Sequence, residues 1–265
     1  MLATDPDCDR VGIAVRDGKE MKLLTGNETG MLLLDYICSQ RKAHNQMPAD
    51  PVFIKTIVTS DMAQRIATKY GVRTINVLTG FKYIGEQIGL LEAAGHPESY
   101  ILGFEESYGY LSGPHVRDKD AVNASFLICE MFAFYKTRGI SLLDKLNSLY
   151  AEYGYCLITQ HSYEFPGSAG FARMKDIMNG LRKERPASIA GRKVLDVVDY
   201  GKGVDGLPKS NVIKFVLDGN CSAIIRPSGT EPKIKNYCTV TASDRPSAER
   251  VETVIVKEFE EIFGL

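Results

Sequence analysis

A short segment near the start of the sequence carries three carboxylates at alternate positions, followed at once by an arginine. It reads Asp5-Pro6-Asp7-Cys8-Asp9-Arg10. On an extended loop alternate side chains point to the same side, so Asp5, Asp7 and Asp9 are expected to converge. Close carboxylates repel one another unless a cation neutralises them, and a set of hard oxygen ligands suits Mg²⁺ or Ca²⁺. Arg10 could hold an anion such as a phosphate beside the metal.

The same segment admits two other interpretations. Asp and Pro are common in turns, so a polar surface turn without a metal stays open. A calcium-binding EF-hand loop also begins with alternating acids, but it needs Gly at its sixth position and Glu at its twelfth. Counted from Asp5, those positions hold Arg10 and Arg16. The EF-hand interpretation fails, and magnesium beside a phosphate is the better hypothesis.

A second segment, near the end of the sequence, combines anion-binding groups with a stiff backbone. It follows a predicted strand and reads Arg226-Pro227-Ser228-Gly229-Thr230-Glu231-Pro232-Lys233. Arg226 offers a fork of N–H donors, and Ser228 and Thr230 add hydroxyl donors. Gly229 allows backbone N–H groups to approach a ligand closely. These features predict a phosphate-binding loop, with a rigid hairpin turn as the alternative.

Polar groups also follow a predicted buried strand in the middle of the chain. This strand runs into the segment Gly103-Phe104-Glu105-Glu106-Ser107-Tyr108-Gly109. Adjacent carboxylates at the end of a buried strand are costly unless they have polar partners. Glu105 and Ser107 together could accept from and donate to neighbouring sugar hydroxyls. An ordinary loop or helix cap is the alternative.

Two lysines lie in segments whose local pattern allows either a functional or a solvated role. Lys82 follows Thr79-Gly80-Phe81 between a predicted strand and a predicted helix. It is a candidate phosphate contact or proton shuttle, although a solvated lysine in the first helical turn is the simpler interpretation. Lys119 lies within Arg117-Asp118-Lys119-Asp120 and could face a phosphate, although charge runs of this kind are usually solvated.

The composition is typical of a globular protein and disfavours several functional classes. The 265 residues are 44% hydrophobic and 25% charged, enough for two ordinary domains. Lys and Arg number 32 against 33 Asp and Glu, so no global basic surface points to nucleic acid. The six cysteines show no Cys-x-x-Cys spacing, which argues against a zinc site or a disulfide framework. With no signal peptide and no apolar run of membrane-spanning length, we expect a cytoplasmic protein that binds neither nucleic acid nor membrane.

The predicted elements change character near residue 152. Before it, strands alternate with helices, which indicates an α/β domain with a mixed sheet and ligands at the loops after the strands. After it, antiparallel strands dominate, with helices near 168–183 and 246–263 on one face of the sheet, an α+β arrangement. A helix is predicted over 26–42 with Asn27 as its cap. No strand is predicted before Asp5, as if the chain began inside a larger protein.

These candidate sites fit phosphoryl transfer: a magnesium loop, an arginine beside it, and two sites suited to a sugar and a phosphate. Phosphoryl transfer needs the reacting groups to be positioned and surrounded by cations, and little covalent chemistry from the protein. With these motifs in order, the sequence resembles the α-D-phosphohexomutases, the phosphoglucomutases and phosphomannomutases. The resemblance covers essentially the whole chain, and residues 104–109 look most like the phosphoglucomutase branch. It implies four domains around a cleft. The matching ranges are 1–25 for the tail of the second, metal-loop domain, 26–152 for the third, sugar-binding domain and 153–265 for the fourth, phosphate-binding domain.

The resemblance also implies roles for individual residues. Asp5, Asp7 and Asp9 match the Mg²⁺ ligands of the family. Arg10 matches an arginine near the phosphoserine, and Lys82 matches a basic residue beside the reacting hydroxyl. The implied substrate-binding residues are Thr79, Gly80, Glu105, Ser107 and Lys119 and, in the loop that grips the non-reacting phosphate, Arg226, Ser228, Gly229 and Thr230.

The implied reaction moves a phosphoryl group within a hexose phosphate. A phosphoserine donates its phosphoryl group to the sugar, the hexose bisphosphate reorients, and the other phosphate returns to the serine. A segment like the family's Thr-Ala-Ser-His-Asn-Pro is absent from the sequence. We therefore expect a C-terminal fragment that lacks the phosphoserine domain. Its partners would be hexose phosphate, hexose bisphosphate and the missing N-terminal domains, and alone it would show no turnover.

Two alternatives stay open. One is a natural, non-catalytic module that binds a sugar phosphate. The other is a Mg²⁺-dependent phosphatase of the aspartyl type, with Asp5 as nucleophile and Asp7 as the partner acid. The lack of a predicted strand before Asp5 argues against the phosphatase.

Overall fold

The computed structural model describes residues 1–204, 206–229 and 231–265, and of Ser168 it describes the backbone alone. The described chain divides into two compact units, unit 1 (Met1–Tyr153) and unit 2 (Gly154–Leu265). All six cysteines are free thiols. Among the described helices, none combines the length and the apolar character needed to cross a bilayer.

Unit 1 begins with a small antiparallel sheet in the order β1-β2-β3. Its strands are β1 (Leu2–Thr4), β2 (Val11–Asp17) and β3 (Glu20–Leu24). The segment that carries the three aspartates connects β1 to β2, and Thr4 pairs with Val11. The prediction that no strand precedes Asp5 is therefore wrong. With three residues β1 is too short to show an alternating pattern, and β2 supplies the hydrogen-bond partners that make it a strand.

The rest of unit 1 is an α/β fold around a four-stranded sheet in the order β5-β4-β6-β7. β4 runs parallel to β5 and β6, and β7 returns antiparallel to β6, so the sheet is mixed as predicted. The elements in chain order are α1 (Gly26–Ala43), β4 (Val52–Thr56), α2 (Asp61–Lys69), β5 (Arg73–Val77), α3 (Phe81–Ala93), a 3₁₀ turn (Pro97–Ser99), β6 (Tyr100–Glu105), β7 (Gly109–Leu111), α4 (Ala121–Lys136) and α5 (Leu142–Tyr153).

Both faces of this sheet are covered, which explains why β4 is buried at every residue. On one face Val52 and Ile54 join a cluster with Ile84 and Ile88 of α3. On the other face the rings of Phe53 and Phe104 lie 5.5 Å apart. Gly30 of α1 packs so closely on Phe104 that an added Cβ would lie 2.4 Å from its ring. The sheet is thus the middle of three layers.

The start of α1 differs from the prediction. Thr25 caps the helix: its side chain accepts the Glu28 N–H, and the Glu28 carboxylate accepts the Thr25 N–H at 2.8 Å. This is a capping box, whose Thr-x-x-Glu spacing is present in the sequence. Asn27, the predicted cap, lies inside the helix and is buried. Its Oδ1 accepts the Ser60 N–H at 3.0 Å, so it fixes the loop after β4.

Unit 2 is one six-stranded antiparallel sheet in the order β8-β13-β12-β11-β10-β9, with two long helices. Alternate residues Ile213, Phe215 and Leu217 share one core cluster with residues of both helices, so both cover the same face, as predicted. The elements are β8 (Tyr155–Glu164), α6 (Ser168–Lys183), β9 (Ser188–Ile189), β10 (Arg192–Asp199), a 3₁₀ turn (Tyr200–Lys202), β11 (Ile213–Leu217), β12 (Cys221–Pro227), β13 (Lys233–Ala242) and α7 (Arg245–Phe263).

Candidate functional site

The aspartate loop, residues 5–10, is a tight turn and not an extended segment. The Cys8 N–H donates to the Asp5 carbonyl at 3.0 Å, and Cys8 adopts a left-handed φ of 58°. Asp5, Asp7 and Asp9 nevertheless converge, with one carboxylate oxygen of each lying within 4.8 Å of the others. The expected convergence is confirmed, but the turn produces it, because Pro6 and the left-handed Cys8 bend the backbone.

Backbone and side-chain donors surround the first aspartate. Oδ1 of Asp5 accepts the N–H groups of Asp9 at 3.1 Å and Arg10 at 2.9 Å. The Arg10 Nε lies 3.4 Å from Oδ2 of Asp5 and 3.4 Å from Oδ1 of Asp9. The hydrogen bond from the Arg10 N–H lowers the pKa of Asp5, which favours the ionised carboxylate that a metal ligand needs.

Lys119 contacts the aspartate loop from a distant part of the sequence. Its Nζ forms an ion pair with Oδ2 of Asp9 and lies 3.3 Å from Oδ1 of Asp118. Burial lowers the pKa of Lys119, but its hydrogen bonds to Asp9 and Asp118 outweigh this effect and leave the pKa raised. Lys119, predicted as a phosphate contact, is therefore a cation that is ion-paired with Asp9 of the aspartate loop.

The sugar hairpin, residues 105–109, lies beside the aspartate loop. Glu105 of β6 pairs with Gly109 of β7, and Ser107 is exposed in the turn between them. Arg10 forms a β-bridge with Gly109, and the Val11 N–H donates to the Tyr108 carbonyl at 3.1 Å. The structure thus brings two of the predicted segments together along one backbone contact.

Glu105 joins this hairpin to the loop between β5 and α3. Its Oε1 accepts the Gly80 N–H at 2.9 Å, and Gly80 adopts a φ of 121° that favours glycine. Burial raises the pKa of Glu105, and the Gly80 N–H opposes part of that rise. The adjacent Thr79 hydroxyl is buried without a hydrogen-bond partner among the described residues. A hydrogen bond therefore joins Gly80 to Glu105, and the Thr79 hydroxyl belongs to the residue next to Gly80 without taking part in that bond.

Lys82 lies at the exposed start of α3, two residues beyond Gly80. Its Nζ is 5.0 Å from the centroid of the Tyr83 ring. This position keeps the ammonium group accessible to a ligand from solvent, at the loop that Glu105 contacts.

The sequence did not reveal a buried lysine in unit 1. Lys55, within β4, is fully buried, and its Nζ donates to the carbonyls of Thr59 at 2.9 Å and Thr56 at 3.4 Å, and to Oδ1 of Asp61 at 3.1 Å. The Thr59 hydroxyl donates to Oε2 of Glu106 at 3.4 Å. Lys55 thus orders the loop that contacts the sugar hairpin. The available signal was a lysine inside an apolar strand, which requires buried partners.

In unit 2 the phosphate loop, residues 226–233, closes the hairpin between β12 and β13. The Ser228 N–H donates to the Lys233 carbonyl at 2.7 Å, and the Glu231 N–H donates to the Ser228 hydroxyl at 3.2 Å. The Lys233 ammonium lies 3.3 Å from carboxylate oxygens of both Glu164 and Glu231. The described part of this loop is a hydrogen-bonded hairpin turn, and its lysine is held by acids of its own unit.

Arg226 is partly exposed at the end of β12, where it pairs with Lys235 of β13. Gly229 is exposed and does not adopt a left-handed φ, and apart from its chain neighbours no described residue has an atom within 4 Å of the position of an added Cβ. Its open surroundings leave the backbone accessible, as a close approach to a ligand would require. Thr230 lies outside the described residues.

We expect the Glu105→Gln variant to be more stable than the parent chain at neutral pH, with the difference shrinking in acid. A raised pKa in the folded state means that stability is full below the unfolded pKa of about 4.3 and falls as pH rises through the folded pKa. Glutamine keeps an oxygen for the Gly80 N–H but cannot ionise. Thermal unfolding from pH 4 to pH 8, with the exposed Glu20→Gln as control, measures this gap. A gap independent of pH would contradict the prediction.

A family model and a sequence comparison indicate the same family. Residues 25–153 match the family model described as phosphoglucomutase/phosphomannomutase, alpha/beta/alpha domain III. A phosphoglucomutase of Staphylococcus epidermidis is 37% identical over 253 residues, which is 91% of this chain and 45% of the relative. The chain thus spans about half the length of the curated relatives it matches.

Solved structures share the fold. The phosphoglucomutase pp63/parafusin of Paramecium, in its open form, aligns with a TM-score of 0.73 and 23% identity, over 99% of this chain and 44% of that one. The N-acetylphosphoglucosamine mutase of Aspergillus fumigatus, in complex with GlcNAc-6P and magnesium, aligns with a TM-score of 0.55 and 13% identity, over 98% and 48%. The chain belongs by its sequence to the phosphoglucomutase/phosphomannomutase family, and these solved structures share its fold.

Proposed function

We propose that the chain is part of a phosphohexomutase, most closely a phosphoglucomutase. The enzyme would move a phosphoryl group between C1 and C6 of a hexose phosphate through a phosphoserine and a hexose bisphosphate. The observation that carries the proposal is 37% identity to phosphoglucomutases, in a chain that holds an arginine and a lysine against three converging carboxylates. The phosphoserine would come from a part of the whole protein outside these 265 residues.

The aspartate loop fits a divalent cation such as Mg²⁺. Its donors are hard carboxylate oxygens within 4.8 Å of one another. Oδ1 of Asp9 is buried and makes no hydrogen bond to the described residues, so it has capacity for a metal. Asp5, Asp7 and Asp9 would hold the ion, which would supply positive charge to the phosphoryl group in transfer.

Three basic residues of unit 1 would act around the moving group. The Arg10 guanidinium, half exposed beside the loop, binds phosphoryl oxygens. Lys82, exposed at the start of α3, takes up or returns the proton of the reacting hydroxyl. Lys119 has three N–H donors, of which Asp9 and Asp118 take two, so the third can reach a phosphate oxygen.

The polar group at the ends of β5 and β6 would bind the sugar. Glu105 uses Oε1 for the Gly80 N–H, which leaves Oε2 to accept from a sugar hydroxyl. The exposed Ser107 and the unpartnered Thr79 hydroxyl can each donate to and accept from the ring. These groups lie at the carboxyl ends of strands, where α/β sheets bind ligands.

The phosphate loop of unit 2 would hold the non-reacting phosphate. Arg226 offers a bidentate fork, and Ser228 and Thr230 offer hydroxyls. Gly229 leaves its backbone open to the ligand. The hairpin is already closed by the hydrogen bond from Ser228 to Lys233, which limits the conformational entropy that binding must overcome.

Calorimetric titration with glucose 1-phosphate and Mg²⁺ tests this function. We expect weak binding by the parent chain and an affinity lower by about 10- to 100-fold in Arg226→Ala, because one charge-assisted bidentate contact is lost. Arg245→Ala, which removes an exposed arginine of the same unit, is the matched control and should bind like the parent. The chain alone should not convert glucose 1-phosphate to glucose 6-phosphate, because it lacks a phosphoserine segment.

The contrary outcomes separate the alternatives. Turnover by the pure chain would refute the requirement for a phosphoserine from elsewhere, and equal binding by Arg226→Ala would refute the phosphate loop. Release of inorganic phosphate, abolished by Asp5→Asn, would identify an aspartyl phosphatase; β1 removes the missing strand as an argument against it. If the chain binds sugar phosphate but its natural full-length protein has no mutase activity, it is a non-catalytic binding module.

A further inference from the structure

Lys119 occupies a restricted position between two segments of unit 1. Its side chain is 18% exposed, and its Nζ forms the ion pair with Oδ2 of Asp9. Its aliphatic stem passes over the sugar hairpin, where a Cβ added to Gly109 would lie 2.7 Å from the Lys119 Cδ. The Lys119 ammonium is therefore confined by its stem and is not a mobile surface charge.

The backbone next to Lys119 holds the same loop a second time. The Ala121 N–H, at the first residue of α4, donates to the Cys8 carbonyl at 3.1 Å. Lys119 and Ala121 thus contact consecutive residues of the aspartate loop, Cys8 and Asp9. This segment fixes both the backbone of the loop and the orientation of one carboxylate.

The two oxygens of Asp9 have different surroundings. Oδ2 is bound by Lys119, whereas Oδ1 is buried, lies 3.4 Å from the Arg10 Nε and forms no hydrogen bond with any described residue. Three carboxylates gathered within 4.8 Å repel one another, and Lys119 and Arg10 supply two compensating charges. The ion pair with Lys119 therefore opposes both rotation of Asp9 and opening of the loop.

We propose that Lys119 is a positioning residue that holds Asp9 by Oδ2 and so leaves Oδ1 for a divalent cation. This inference rests on the proposed metal site and extends it to a residue outside the ligand set. A partner on the second oxygen of a ligating carboxylate restricts its orientation, and loss of such a partner costs about 10- to 100-fold in metal affinity. Lys119 thereby also connects the cation to the sugar hairpin, because its stem packs on Gly109.

The experiment is a titration of the full chain with Mn²⁺, followed by the EPR signal of the free ion and by competition with Mg²⁺. We expect Lys119→Met to weaken Mn²⁺ binding by about 10- to 100-fold. Lys119→Arg keeps a cation for Oδ2 of Asp9 and should restore the affinity to within a few-fold. Lys22→Met removes an exposed lysine of β3 and should bind Mn²⁺ like the parent.

The outcomes distinguish this inference from the proposed metal site. If the parent chain binds Mn²⁺ no better than Asp5→Asn does, the metal site fails and the inference fails with it. If the parent binds Mn²⁺ and Lys119→Met binds it equally or more tightly, the site stands and the positioning role is refuted. Thermal unfolding without metal identifies a merely structural effect, because loss of fold in Lys119→Met would also appear in the absence of Mn²⁺. If Lys119→Met does not fold, the Lys119→Arg variant provides the test. A folded Lys119→Arg chain that binds Mn²⁺ much more weakly than the parent overturns the inference.

Discussion

Gly26→Ala is expected to destabilise unit 1 by about 3 kcal/mol, as overpacking of a rigid contact does. Gly26 is the first residue of α1, and an added Cβ would lie 2.1 Å from the Glu106 carbonyl oxygen and 2.8 Å from the Tyr108 nitrogen. Both are backbone atoms of the sugar hairpin, so rotation of a side chain cannot relieve the clash. The variant should therefore also lose affinity for a sugar phosphate, which links a helix terminus to the binding loop.

Gly89→Ala is the matched control for this prediction. Gly89 lies inside α3, and an added Cβ would meet no atom of another described residue within 4 Å outside its own helical turn. Alanine favours the helix there, so Gly89→Ala should stabilise the chain by up to about 1 kcal/mol. Urea unfolding of both variants measures the difference, with separate transitions fitted if the two units unfold independently. Equal stability of the two variants would show that the hairpin moves away from Gly26 at little cost.

Lys55→Met is expected to cost about 2 kcal/mol or more, since buried hydrogen bonds to a charged donor are lost. The substitution leaves the Thr56 and Thr59 carbonyls without this donor and removes the ion pair to Asp61 at 3.1 Å. Asp61 is itself 36% exposed, which keeps the loss below that of a fully buried pair. The loop between β4 and α2 should loosen, and with it the contact from Thr59 to Glu106.

Lys69→Met is the control for Lys55→Met. Comparing the two variants separates the effect of side-chain burial from the effect of the ion-pair distance. Lys69 pairs with Glu152 at 2.8 Å, closer than Lys55 lies to Asp61, but both side chains are 43% exposed. Water screens such pairs, so the variant should change the free energy of unfolding by less than about 1 kcal/mol. Denaturant unfolding of both variants tests the difference. A larger loss in Lys69→Met than in Lys55→Met would contradict it.

The sequence predicted most of the elements because their patterns are local. The α/β region followed by an antiparallel sheet was predicted from apolar periodicity. Short local signals also mark helix starts: the Ser60 and Asp120 side chains accept N–H groups at the starts of α2 and α4. The correct cap of α1 could have been predicted from the capping-box spacing of Thr25 and Glu28. Strand β1 could not, because three residues are too few to show an alternating pattern.

The candidate site was predictable as four segments but not as an arrangement. The ion pair of Lys119 with Asp9 and the hydrogen bond from Gly80 to Glu105 join residues far apart in sequence, and no local pattern encodes such contacts. The aspartates were expected to converge by extended alternation, but a turn brings them together. The contact between His161 Nε2 and Oε1 of Glu252 at 2.6 Å is a further example. No local sequence pattern predicts it, because it forms only when α7 packs near β8.

The strand order of unit 2 has a consequence for synthesis on the ribosome. β8, the first strand of the unit, lies at the edge of the sheet and pairs along its whole length with β13, the last strand, from Tyr155–Ala242 to Glu164–Lys233. A nascent chain that has not yet reached residue 242 therefore exposes β8 without its ladder, while β4, β5 and β6 of unit 1 already have theirs. Unit 2 can complete its sheet only after β13 has been synthesised, and a premature stop before Lys233 would leave an unpaired strand prone to aggregation.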